Sequence, residues 1–127
     1  METIIECIKN VNKTLGNYYK ENVYQAALSV ELNLMGILIQ NEVVMPINYK
    51  GVSVGYERAD IVVYSKDGKP EFIIELKSQN TKLSQKEISQ LRKYILNLKC
   101  EMGLLVNFHE NIEIIIVTET SHIVQKD

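Results

Sequence analysis

The chain is poor in the residues that build disulfide and zinc frameworks. Its two cysteines, Cys7 and Cys100, stand far apart. They form neither a CxxC pair nor a disulfide framework and read as free thiols of a reducing compartment. With two histidines beside those isolated cysteines, a structural zinc site is not expected. His109 and His122 lie near a loop and the tail, with no Ser or Cys beside them in a nucleophile motif, and read as surface residues. No apolar stretch approaches the length of a bilayer span, so no membrane partner is expected. The segment Met1-Glu-Thr-Ile-Ile-Glu6 carries acids where a secretory signal needs a basic start. A cytoplasmic or nucleoid-associated protein is therefore expected. Repeats, linkers and low-complexity tracts are absent. An excess of positive charge is missing too: the net charge is −2, which argues against coating nucleic acid by charge alone.

What is present suits one globular domain. The chain has 127 residues, 46% of them hydrophobic and 24% charged, enough for a single core. The charge is unevenly placed. Between Leu76 and Cys100 there are six cations and one acid, Glu87, so this segment is +5 and the remainder −7. Such a segment suits phosphate binding; a solvated, lysine-rich helix accounts for it equally well.

One stretch organises the rest: Lys69-Pro-Glu-Phe-Ile-Ile-Glu-Leu-Lys-Ser78. Phe72, Ile73 and Ile74 read as a buried strand. Side chains alternate along a strand, so Glu75 and Lys77 share a face and Leu76 takes the other. Asp60, in Arg58-Ala-Asp-Ile-Val-Val63, interrupts a second apolar run. Two hard oxygen donors with a cation beside them suit Mg²⁺ and an activated water. A strand-end ion pair of Glu75 with Lys77, and mutual satisfaction of Asp60 and Arg58, is the plainer account of the same residues.

In chain order, Ile4, Ile5, Ile8, Val11 and Leu15 predict a first helix over 2–15. Gly16-Asn17 breaks it. A second helix is expected from Tyr18 to about Met35, with Tyr24, Ala27, Leu28, Leu34 and Met35 on one broad face and Glu21 at its edge. Glu31, nearer the middle of that face, reads as a buried partner for an arginine or a backbone amide. Gly36 ends the helix. Ile37–Tyr49 reads as extended, with Pro46 pointing to an edge strand or a bulge. Lys50-Gly51 is a turn into a second strand, Val52–Tyr64. Ser65-Lys-Asp-Gly-Lys-Pro70 is a hairpin turn into a third, Glu71–Lys77. Asp60 and Glu75 then lie on antiparallel neighbours. Ser84 and Glu87 form a capping box for a helix running to about Leu98. Ile88, Leu91, Ile95 and Leu98 are its buried stripe, Lys86, Gln90, Lys93 and Asn97 its open face, and Tyr94 its border. Gly103–Phe108 and Ile112–Thr118 are two further strands, and Thr120–Asp127 reads as a loose tail. Three meandering strands, a helical crossover and further strands give a mixed α/β sheet flanked by helices.

Asp60 with Glu75-Leu76-Lys77 resembles the signature of the PD-(D/E)xK nuclease superfamily. Leu15-Gly16, Glu21-Asn-Val-Tyr24, Ala27-Leu28, Glu31-Leu32, Gly36, Tyr49-Lys-Gly51, Arg58-Ala-Asp60, Gln90-Leu-x-x-Tyr94 and Gly103-Leu-Leu-x-Asn-Phe108 resemble, in order, its small GxxExxR family. The similarity covers roughly residues 10–110. One position departs: the family has Gly three residues before the glutamate, and this chain has Tyr18, so the start of the helix is in question. The resemblance implies a restriction-endonuclease-like αβββαβ core and a metal-dependent nuclease using Mg²⁺ or Mn²⁺. It implies metal ligation by Asp60, Glu75 and the Leu76 carbonyl, with Glu21 holding a second ion or a water. It assigns Lys77 to the attacking water or the phosphate, and Gln90, supported by Tyr94, to water or backbone phosphate. Lys86 and Lys93 would face nucleic acid. A homodimer acting on DNA, in branched, nicked or single-stranded form, is expected. The alternative is a catalytically silent nuclease-fold module that binds nucleic acid or protein.

Overall fold

Helix α1 (Glu2–Leu15) forms where apolar residues recur at helical spacing, and it buries Ile4, Ile5, Cys7, Ile8 and Val11. Helix α2 (Glu21–Leu34) follows, burying Tyr24, Leu28 and Leu32. The computed structural model describes residues 1–125. Strands β1 (Leu38–Tyr49), β2 (Val52–Tyr64) and β3 (Pro70–Lys77) meander into helix α3 (Gln85–Leu98), and β4 (Met102–Asn107), β5 (Glu113–Thr118) and β6 (His122–Val124) complete the chain.

The six strands lie in sequence order in one sheet. Every neighbouring pair is antiparallel except β3 with β4, which α3 joins as a crossover and which is parallel. The sheet has two apolar faces. Ile61, Ile74, Leu76, Leu104, Val106 and Ile114 pack under α1 and α2. Val62, Ile73, Leu105, Ile115 and Val117 pack under α3. This is the expected mixed sheet flanked by helices, and its α2–β1–β2–β3–α3–β4 segment has the αβββαβ order.

The local chemistry that sets the boundaries is largely as expected. Lys50 (φ 49°) and Gly51 (φ 81°) are both left-handed, the geometry of a two-residue hairpin loop whose twist matches its strands. The Glu87 carboxylate accepts the Ser84 N–H at 2.9 Å and closes the capping box of α3. Hydrogen bonds from Ser84 hold the Glu87 acid down to a pKa of about 2.

Four readings change. Helix α2 begins at Glu21 rather than Tyr18, because Tyr18 sits at φ 76°, outside the helical region. Leu34 and Met35 are exposed, and Leu32 occupies the buried face in their place. Glu31 is half-buried beside Cys7 and makes no ion pair among the described residues. The tail is not wholly loose: His122–Val124 adds a strand to β5, and Gln125 N–H reaches the Ile114 carbonyl at 2.7 Å. Lys126 and Asp127, also read as loose tail, lie outside the described residues.

One irregularity bears on the site. On β2, Ile61 and Val63 belong to the α1/α2 core, yet Ala59 belongs to the α3 core. On β1, Ile39 packs on the α1/α2 side and Val43 and Met45 on the α3 side. Both strands therefore turn over at the same level, at Glu42 and Asp60. Glu42 takes φ 51° there. Beyond this point β3 no longer pairs with β2, whose contact with it runs only from Ile61 to Tyr64. Residues 43–59 form a two-stranded arm.

Candidate active site

At the turnover, Asp60 and Glu75 hold each other's strands. The β2–β3 ladder ends at Ile61 and Ile74. The Asp60 N–H donates to Glu75 Oε1 at 2.8 Å, and the Leu76 N–H donates to Asp60 Oδ2 at 2.8 Å. Each carboxylate thus replaces a missing ladder bond and keeps its second oxygen for another partner. Glu75 is 7% exposed. Burial, and then the charge of Asp60, raise its acid to about 8. The Asp60 acid is raised too, first by burial and further by Glu21 and Glu42, against the pull of the Leu76 N–H and the Lys77 ammonium. At neutral pH the metal-free pair therefore holds a proton, as crowded carboxylates must.

Lys77 stands two residues beyond Glu75 on the same face. Its ammonium opposes the upward shift of both acids. Its strand partner is Asn107, a buried amide that fixes the segment leading from Lys77 to α3. Asn107 Oδ1 accepts the Gln79 N–H at 3.0 Å, and its Nδ2 donates to the Gln79 and Thr81 carbonyls, each at 3.2 Å. Glu113 accepts from Asn107 Nδ2 and from the Leu83 N–H, both at 3.2 Å.

Glu21 opens α2 and is exposed. Its negative charge acts on both acids, so the first turn of α2 leans over the same end of the sheet. Tyr24 sets that turn. Its ring stacks on Phe108 at 4.3 Å, its hydroxyl donates to the Gly16 carbonyl at 2.6 Å, and Ser78 Oγ donates to the Tyr19 carbonyl at 2.7 Å.

The third wall is α3. Tyr94 is buried rather than at a border, and its hydroxyl donates to Glu57 Oε2 at 3.1 Å. Burial, then the charges of Glu75 and Glu57, push its phenol up. Gln90 lies one turn before Tyr94, about 6 Å along the axis, and is exposed, as are Lys86 and Lys93. Lys93 borders a cavity of about 310 Å³ shared with Met45, Glu57 and Tyr94. The structure thus gathers Asp60, Glu75, Lys77 and Glu21 at one end of the sheet, with Tyr94 behind them. Gln90, Lys86 and Lys93 face outward on α3.

Sequence reading missed three contributors. Gln25 Nε2 donates to the Asp60 carbonyl and to Asn41 Oδ1, each at 3.1 Å. Its place one turn after Glu21 is the signal that could have found it. Glu57, the partner of Tyr94, and Glu42, opposite Asp60, become visible only once the strands are known to turn over.

The donor set fits a hard divalent cation. Two carboxylates, each with an oxygen not used by the backbone, suit Mg²⁺, which takes few protein ligands and keeps its waters. Among the described residues no three His, Cys, Asp or Glu side chains form a larger ligand cluster. In the described residues no helix is long and apolar enough to cross a membrane.

Comparison with known proteins bears on the fold and the family. No curated protein matches the sequence. The solved crystal structure of SSO0001 has the same fold with TM-score 0.61, at 24% identity, over 77% of this chain; the match covers 50% of that protein's length. The family model of the PD-(D/E)XK nuclease superfamily matches residues 1–117, so the chain belongs to the PD-(D/E)XK nuclease superfamily.

Proposed function

We propose that the chain is a divalent-metal-dependent nuclease that hydrolyses phosphodiester bonds in DNA, as a homodimer of the GxxExxR type. The carrying observation is the pair Asp60 and Glu75, each bonded to the other's strand at 2.8 Å, where burial and then the charge of Asp60 raise the Glu75 acid to about 8. Crowded acids of this kind gain most from a cation. Asp60 and Glu75, with the Leu76 carbonyl, would hold Mg²⁺ or Mn²⁺. The bound ion would polarise the phosphate and make a nearby water more acidic. Lys77 places its ammonium against the attacking water or the phosphate. Glu21 would orient a water or hold a second ion from α2. Gln90 positions water or a backbone phosphate, with Tyr94 fixing the helix beneath it. The exposed Lys86 and Lys93 face the duplex, a single strand or a branch.

One observation favours a second reading. Each carboxylate already bonds a backbone N–H, so the pair also serves as a structural staple. A silent nuclease-fold module that binds nucleic acid or protein would keep that staple and lose the chemistry.

The deciding experiment is a cleavage panel of plasmid, linear, single-stranded and branched DNA and RNA with Mg²⁺ or Mn²⁺, run beside melting curves with and without the ion. The nuclease reading expects cleavage and an ion-induced rise in melting temperature, both lost in Asp60→Asn and Glu75→Gln while the variants stay folded. Lys77→Ala should keep the rise and lose rate. Wild-type protein that shows neither shift nor cleavage at millimolar ion belongs to the silent module.

A further inference from the structure

The arm of residues 43–59 is short of partners. From Val52 to Ala59, β2 pairs with β1 alone, and β1 is the edge of the sheet. A two-stranded hairpin is marginal in water unless a further layer covers it. One face has that layer: Met45 and Ala59 pack against α3, and Asn97 Nδ2 donates to the Pro46 carbonyl at 3.1 Å. Among the described residues the opposite face has none. Val44 and Tyr56 point that way from opposite strands, 54% and 70% exposed, and Tyr49, Val52 and Val54 at the tip are more than 60% exposed.

We propose that this bare face of the arm is the surface on which a second copy of the chain docks, two arms packing face to face about a two-fold axis. The inference extends the homodimer of the proposed nuclease by naming its interface. Charge disfavours a phosphate backbone as the occupant: the arm's cations are Lys50 at the tip and Arg58 opposite Val44, Arg58 is paired with Glu42 at 3.9 Å, and nucleic acid is held by clustered, unpaired cations. Size suits a protein surface. At roughly 150–250 Å² per aromatic side chain, the two tyrosines and the valines offer on the order of 500 Å². Two such faces together would bury on the order of 1,000 Å², the threshold of a specific interface. Identity follows from need. The arm lacks cover in every molecule from the moment it folds, and another copy is the partner present at every synthesis. A sheet face meeting its own copy is self-complementary by symmetry. Glu42, which acts on Asp60, stands at the root of the arm, so the dimer would set the two carboxylate sites at a fixed separation.

The test is sedimentation equilibrium of the full chain from low to high micromolar concentration, with Val44→Lys/Tyr56→Lys beside it. The wild type should be a dimer, and the double variant should raise the dimer dissociation constant at least ~100-fold, the loss expected when two central apolar anchors become charged. If the double variant misfolds by circular dichroism, Val44→Thr/Tyr56→Ser replaces it and should weaken the dimer in the same direction. A monomeric wild type at high micromolar concentration overturns the proposal, as does a dimer indifferent to both variants. Loss of DNA binding without a change in mass also overturns it and makes nucleic acid the occupant. Asp60→Asn, measured in parallel, separates this interface from the nuclease reading: it should stay dimeric although it cuts nothing, whereas failure of the interface leaves wild-type cleavage standing.

Discussion

At the scale of single residues, the decisive quantity is the proton on Glu75. In the unfolded chain its acid returns to about 4.5, and in the folded, metal-free protein it lies at about 8. Between those values the folded state binds more protons than the unfolded state, so stability falls as pH rises through that window. Each tenfold change in acid strength is worth ~1.4 kcal/mol, so the loss across the window is on the order of a few kcal/mol. Metal-free protein should accordingly melt lower at pH 8.5 than at pH 5, and Glu75→Gln should flatten the slope; an equal slope in both would place the ionising group elsewhere. Tyr18 poses a different residue-scale question. It adopts φ 76°, a conformation that costs a side chain about 1–2 kcal/mol. It is 84% exposed, so little packing offsets that cost. Tyr18→Gly should raise the thermal midpoint by a few degrees, the net of relieved strain and a more flexible unfolded chain. A lower midpoint would mean that the ring makes a contact worth more than the strain.

At the scale of elements, Gly103 decides how α3 meets the sheet. A Cβ there would stand 2.9 Å from Leu91 Cδ1 and 3.0 Å from Leu91 Cγ, with Leu91 itself 1% exposed. Gly103→Ala should cost about 1–3 kcal/mol by overpacking, measured by urea denaturation. It should also weaken Tyr94's hold on Glu57, since both depend on the seat of α3. The elements themselves were mostly legible in the sequence. Strand parity put Glu75 and Lys77 on one face, the Lys50-Gly51 and Asp67-Gly68 turns set the meander, and Ser84 with Glu87 fixed the start of α3. What was not legible has physical causes. Tyr94 reads as a border residue on a helical wheel because its cover, Met45 and Glu57, comes from an arm distant in sequence. Leu34 and Met35 extend the apolar period of α2 past the sheet they were expected to cover. Strand β6 has too few apolar residues to signal itself, and exists because β5 offers an open edge. The superposition of Gln25 on Asp60 follows from tertiary docking of α2, which no local pattern encodes.

At the scale of the molecule, a protein of net charge −2 carries a +5 segment from Leu76 to Cys100, and α3 holds much of that charge outward. Phosphate binding by Lys86 and Lys93 would appear as counter-ion release. Reversing both to Glu should weaken DNA binding and reduce the slope of log affinity against log salt by about 2, near one unit per lost contact. An unchanged slope would move the nucleic acid to another face.

The strand order also has a temporal side. Each strand of the sheet lies beside the one made just before it. The pair that breaks the hairpin rhythm is β3 with β4, where Phe72 must wait for Met102 and Lys77 for Asn107. Long loop closures of this kind slow folding. Asp60, Glu75 and Lys77 all precede the loop that this pairing closes, while α3, the layer over Glu75's face, lies within that loop. Early in folding the two acids would face water with ordinary acidity, and the uptake of a proton should accompany the late docking of α3 rather than the formation of the hairpins. A pH-indicator stopped-flow trace near neutral pH would therefore report the last step of folding, and the carboxylate pair would be the part of the molecule that records when it is finished.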